Sequence, residues 1–232
     1  MRIYLRLSSN TTVVPYNYQQ HLVGAFHKWL GQNELHDDIS LYSLSWLTHL
    51  GHPKSKAHKT KEGLTFLHGA ELFISSPLQD LHKKAVDGIF KDQQINWGMH
   101  VTEVIMKPTP DFGNRHRFLA QSPILIQRKP EGAKHQQYYY YTDSQSGEYL
   151  TETMSRKLER AGIVADISIS FDSAYTKPYL KKVTYRNIDI KGTMCPVIVE
   201  GDPRAVQFAW EVGVGNSTGI GFGALNHTLT KF

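Results

Sequence analysis

Read twice along the chain, a strand–helix–strand–strand–helix–strand order predicts an α+β fold: two tandem ferredoxin-like (βαββαβ) units with a C-terminal glycine-rich loop. Three observations carry that prediction. Stretches of period-two hydrophobicity alternate with longer stretches of helical spacing. A break rich in proline and glycine, "PTPDFGNRH" (108–116), falls near the middle of the 232 residues. Five glycines crowd into "GVGNSTGIGFGAL" (213–225), close to the end. The expected units are residues 1–108 and 117–232, with a linker at 109–116.

In the first half, "RIYLRL" alternates as a strand, with Ile3, Leu5 and Leu7 on one face and Arg2, Tyr4 and Arg6 on the other. Leu22, Val23, Phe26, Trp29 and Leu30 then recur at helical spacing until Gly31 stops them. An extended run, "LYSLSWLTHL" (41–50), leads into a basic segment at 51–63 that contains chain breakers. Two strand-like pieces follow, "LTFLHG" and "ELFISS". A second helix, starting at Pro77, carries Leu78, Leu81, Ala85, Val86, Ile89 and Phe90, and "QINWGMHVTEVIMK" closes the unit as a strand.

In the second half, "FLAQSPILIQRK" and "QQYYYYTD" read as strands, and "GEYLTETMSRKLERAGI" reads as a helix with Gly162 just past its end. "ADISISF" alternates, and 181–199 reads as a hairpin or a broken strand pair. "DPRAVQFAWEV" is a short helix with Asp202 at its N-cap and Pro203 at its first position. A last strand, "GIGFGALNHTL", completes the second pattern. The two halves share no evident sequence identity.

Composition narrows the function classes. Hydrophobic residues at 40% against 20% charged describe a globular chain with material for real cores. Cys195 is the sole cysteine, which excludes an internal disulfide and the multi-cysteine zinc patterns. No apolar run approaches the roughly 18 residues of a membrane span, and the start lacks a signal-peptide core, so a cytoplasmic protein without membrane contact is expected. A net charge of +5 favours a polyanionic partner without requiring one. His52 and His58 are the nearest approach to a metal pair, and no helix carries the paired histidines of a zinc site. No G-x-S-x-G elbow exists, and neither a dinucleotide nor a P-loop context surrounds the glycines. Hence no metal and no cofactor are expected.

Two tandem ferredoxin-like units with "WEVGVGNSTGIGFGAL" near the end resemble the RAMP superfamily of CRISPR systems, whose glycine-rich loop would correspond to Gly213, Gly215, Gly219, Gly221 and Gly223. The helix "VPYNYQQHLVGAFHKWL" and the following "LHDDISLYSLSWL" are similar to the corresponding parts of the superfamily's repeat-processing endoribonucleases. The resemblance implies metal-independent cleavage of precursor CRISPR RNA at its repeats, by attack of a 2′-hydroxyl on the adjacent phosphate. It equally allows a non-catalytic RNA-binding subunit of a CRISPR effector complex. Other effector subunits and a second copy of the chain are the further partners it allows.

Such cleavage needs two proton transfers and a cation beside the developing charge, and histidine titrates in the right range for the first task. By the resemblance His36 is the lead acid–base residue and His27, on the first helix, its assistant. The resemblance places no lysine; from the basic run, Lys54 is the choice for electrostatic help, with Lys56 and Lys59 as phosphate contacts. In the second half Lys177, Lys181, Lys182, Tyr185, Arg186 and Lys191 crowd the expected hairpin, where an aromatic among cations suits base stacking beside phosphate contact. The glycines leave room for close approach, either of phosphate or of the neighbouring unit.

Overall fold

Alternation buries Ile3, Leu5 and Leu7 on one side of the first strand, and that strand becomes the centre of a sheet. The computed structural model describes residues 1–31, 39–50, 57–130, 132 and 134–227. The first unit runs β1 (Arg2–Leu7), β2 (Val14–Pro15), α1 (Gln19–Leu30), β3 (Ser43–Leu44), β4 (Thr48–His49), β5 (His58–Lys59), β6 (Gly63–Thr65), β7 (Ala70–Ser75), α2 (Gln79–Lys91) and β8 (Val101–Lys107). Its antiparallel sheet has the order β3–β7–β1–β8, with β4 also on β7, while β2, β6 and β5 form a separate small sheet. The apolar stripe of α1 packs into the core beneath the main sheet, and Gly31 takes φ 64° to end the helix. Gly88 lets α2 press on α1, because a Cβ there would lie 2.1 Å from the carbonyl oxygen of Trp29.

The second unit runs β9 (Arg115–Ala120), β10 (Ile126–Arg128), β11 (Gln137–Tyr139), α3 (Ser146–Arg160), β12 (Ile167–Phe171), β13 (Tyr179–Tyr185), β14 (Ile188–Met194), β15 (Val197–Gly201), α4 (Pro203–Val212) and β16 (Leu225–His227), with a 3-10 turn at Thr218–Ile220. Its main sheet has the order β12–β15–β9–β16. In both units the second strand flanks the third, the third flanks the first, and the first flanks the fourth. That is one ferredoxin-like order written twice, with the hairpins β10–β11 and β13–β14 added to the second copy. Asp202 accepts from the amide of Arg204 at the start of α4, as its position before Pro203 foretold.

Three local expectations change. The strand expected over 94–107 starts only at Val101, because Trp97 and Gly98 turn the chain with φ of 58° and 72°. The strand expected through "FLAQSPILIQRK" is two strands, parted at Ser122, whose hydroxyl accepts from the amide of Ala224. The last strand, expected from Gly219, begins only at Leu225, since Ser217, Gly221 and Gly223 adopt left-handed backbone and no ladder can form through them.

The units meet over the face of the first sheet that alternation assigned to polar residues. Arg2 is fully buried there, its guanidinium 3.6 Å from the ring of Phe73 and 3.5 Å from that of Trp210 on α4. Its Nη2 also donates to the carbonyl of Trp210 at 3.0 Å. Ser43 donates to the carbonyl of Glu211, and Thr218 to that of Tyr42.

Candidate nucleic-acid interface

Between the units lies a cleft of about 800 Å³. Its walls are the turn before α1 with Tyr16 and Tyr18, the β3–β4 stretch with Trp46 and His49, the β5–β6 hairpin with Lys59, and β13 with Lys181 and Lys182. Cations from both units therefore converge on one groove, with the exposed ring of Tyr16 and the half-buried rings of Trp46 and His49 between them. The geometry suits a single-stranded polyanion: lysines neutralise phosphates, and ring faces accept unstacked bases. Tyr16 is fixed by donating its hydroxyl to the carbonyl of Thr60 at 2.7 Å, and His49 stacks on Phe66.

Trp46 joins this cleft to the glycine-rich loop, its Nε1 donating to the carbonyl of Gly221 at 2.8 Å. All five loop glycines are buried, and at Gly213, Gly215, Gly219 and Gly223 the chain itself would crowd a side chain. A Cβ on Gly223 would lie 1.9 Å from the carbonyl oxygen of Val214, and one on Gly219 would lie 2.6 Å from Ser40 Oγ and 2.8 Å from the Tyr42 hydroxyl. Of the two approaches expected at Gly213, Gly215, Gly219, Gly221 and Gly223, phosphate or the neighbouring unit, the close packing at Gly213, Gly215, Gly219 and Gly223 is with the chain itself. The close-packed surroundings push the Tyr42 hydroxyl up to about 12, with burial the main cause and the neighbouring Tyr185 adding to it.

Tyr185 is placed otherwise than base stacking would need. The hairpin forms as expected, turning at Arg186 and Asn187 with φ of 48° and 65°. Yet Tyr185 points inward, is 8% exposed and joins the first unit's core, so it offers no face to a base. Lys177, Lys181, Lys182, Arg186 and Lys191 are exposed. Lys182 is not a bare cation, since Asp189 pairs with it at 2.9 Å. Hydrogen bonds from Thr184 and then Lys182 hold the Asp189 carboxyl below its usual range.

Of the residues expected to cut, His27 sits half-buried on α1, its ring 5.7 Å from that of Phe26. His36, Lys54 and Lys56 lie outside the described residues. Tyr16, Trp46 and His49 were not expected to line this cleft, because Tyr16 and Trp46 stand in irregular stretches and His49 in a two-residue strand, too short for a local pattern to say which surface each meets. Lys157 was missed too. Within "SRKLER" it reads as one more surface cation, yet it is buried against the glycine-rich loop.

Residues 106–227, more than half of the chain, match the family model for CRISPR associated protein Cas6, C-terminal. The chain belongs to the Cas6 family of CRISPR-associated proteins. A curated relative, "CRISPR-associated endoribonuclease Cas6 1" of Methanocaldococcus jannaschii, is 27% identical over 249 residues that cover 100% of this chain and 94% of that protein. Two solved structures share the fold. One, described as "Characterization of a Cas6-related gene from Pyrococcus furiosus", has a TM-score of 0.85 at 22% identity, covering 100% of this chain and 99% of the other. The second, described as "An RAMP protein binding different RNA substrates", has a TM-score of 0.83 at 21% identity, covering 97% and 98%.

Proposed function

We propose that this protein is an endoribonuclease that binds the repeats of precursor CRISPR RNA and cuts them to release guide RNAs. The observation that carries the reading is the inter-unit cleft, where Lys59 meets Lys181 and Lys182 around Trp46 and Tyr16, in a chain of the Cas6 family. RNA lying there has its phosphates neutralised from both units and its bases against rings.

Cleavage proceeds by attack of a ribose 2′-hydroxyl on the adjacent phosphate, with departure of the 5′-oxygen. The products are a 5′-hydroxyl and a 2′,3′-cyclic phosphate or 3′-phosphate. One group removes the 2′ proton, another protonates the leaving oxygen, and a cation steadies the charge between them. His36 takes the leading proton transfer, His27 assists, and Lys54 supplies charge. The glycine-rich loop serves RNA through the chain's own packing, by holding Trp46 and the first unit in place.

The deciding experiment is cleavage of a repeat RNA in excess EDTA, wild type beside His36→Ala, with binding measured for both. A single metal-free cut is expected, blocked by a 2′-deoxy nucleotide before the break. His36→Ala should bind normally and cut at least ~10²-fold more slowly, the usual loss for a missing acid–base group. Tight binding by wild type with the RNA left whole would make the protein a non-catalytic RNA-gripping subunit instead. Normal cutting by His36→Ala would move the lead role to His27.

A further inference from the structure

Lys157 on α3 is 3% exposed and is not needed by the cleavage chemistry above. Its Nζ lies 3.1 Å from the carbonyl oxygen of Gly213, 3.4 Å from that of Val212 and 3.2 Å from Thr218 Oγ1. An ammonium carries three donors, and here each has an acceptor. Two of those acceptors are carbonyls at the end of α4, where the helix leaves its last carbonyls unsatisfied and its dipole is negative. The third belongs to the 3-10 turn midway along the glycine-rich loop. Thr218 Oγ1 passes the connection on, donating to the carbonyl of Tyr42 in the first unit at 2.8 Å.

The side chain thus touches α3, the end of α4, the loop and, through one hydroxyl, the strand region of the other unit. A methionine would fill the same volume without desolvating a charge, an exchange that is often neutral or stabilising. It would not supply three donors converging on one loop. The cavity of about 440 Å³ beside Lys157 is lined by Ser40, Gln127, Asn216 and Ser217, with Arg156 the other charged residue on its described wall.

We propose that Lys157 is a positioning residue: its buried ammonium clamps the start of the glycine-rich loop, at 213, to its middle, at 218, and through Thr218 docks the loop on Tyr42, so that both units offer RNA one preformed surface. The consequence for RNA rests on the repeat-processing reading, whereas the clamp itself does not.

Two measurements separate these. The first is backbone amide exchange in the RNA-free protein. In Lys157→Met and in Thr218→Val, the amides of Val214, Gly221 and Gly223, which bond Gly223, Thr218 and Pro123 carbonyls, should exchange at least ~10-fold faster, as expected for lost hydrogen bonds to a charged group. Amides of β1 and β15 should keep their rates, and Thr218→Ser, which retains the hydroxyl, should match wild type. The second is RNA affinity set against the cleavage rate at saturating RNA. Lys157→Met and Thr218→Val should each weaken binding about 10-fold and leave the saturating rate within about threefold. The double variant should be no worse than either alone, because both break one connection. A general loss of folded protein would instead lower the active fraction at unchanged affinity. Wild-type exchange at the loop in Lys157→Met, or additive losses in the double variant, would overturn the proposal. Should Lys157→Met not fold, the Thr218 pair decides the matter. If wild type neither binds nor cuts repeat RNA, the functional reading falls while the exchange result still tests the clamp.

Discussion

Arg2 shows how a single residue can read one way in sequence and serve another way in the fold. Period-two alternation sets it opposite Ile3 and Leu5, yet that opposite face is roofed by α4, and the guanidinium is held flat between Phe73 and Trp210. Burial lowers its pKa to about 10, which still leaves it charged at neutral pH. Arg2→Ala should therefore lower unfolding free energy by about 3 kcal/mol or more, the range for losing desolvated cation–π contacts and a buried bond to a carbonyl. Arg2→Lys should recover little, since an ammonium cannot stack between two rings. Urea unfolding at unchanged slope measures both. Lys157 allows a pH prediction with a definite sign. Its ordinary value is 10.5, and burial lowers it to about 7 in the folded protein. Between those values the unfolded chain holds a proton that the folded chain has released, so stability rises with pH above about 7; below it the full cost of the buried charge applies. The stability of wild type minus that of Lys157→Met should then grow by about 1.4 kcal/mol per pH unit between roughly pH 7 and 9. A flat difference would mean that Lys157 titrates normally.

At the scale of elements the glycine-rich loop tests how much sequence can tell. Five glycines in eleven residues announce a close approach, but not what approaches. The structure puts the chain's own carbonyls there, and the loop glycines differ in what they tolerate. Gly223 combines φ 61° with a carbonyl oxygen 1.9 Å from any Cβ, whereas Gly221 has φ 91° and nothing nearer than 3.7 Å. Gly223→Ala should cost several times the roughly 1–2 kcal/mol of backbone strain expected for Gly221→Ala. Equal melting temperatures for the two variants would mean that strain alone decides and that the carbonyl yields. Elements with a strong period were legible from local pattern: β1, α1, α3 and the β13–β14 hairpin stand where spacing and caps put them. The glycine-broken final strand, and the inward turn of Tyr185, depend on packing against the other unit. No local pattern records that packing, so a residue alternating correctly along a strand can still be assigned to the wrong surface.

For the whole molecule the two copies of one strand order matter because neither copy makes the cleft alone. Lys59 comes from the first unit and Lys181 and Lys182 from a hairpin added to the second, so the charge that would face RNA exists only when the units are docked. Basic runs were legible in sequence; their convergence was not, since the lysines are more than a hundred residues apart. The convergence predicts a salt signature. For single-stranded RNA the logarithm of affinity falls with the logarithm of salt concentration by about 0.7 per phosphate neutralised. Lys59→Ala and Lys181→Ala should each reduce that slope by roughly 0.7, whatever the sequence of the RNA. Lys182 is already paired with Asp189, so Lys182→Ala should reduce it less. Asp189→Asn, by releasing that lysine, should tighten binding and steepen the slope. Dissociation constants from about 50 to about 300 mM salt span the range in which such slopes are resolved. If the lysine variants weaken binding by the same factor at every salt concentration, these side chains contact bases or shape the groove rather than neutralise phosphates. The route of the RNA backbone would then have to be sought outside this cleft.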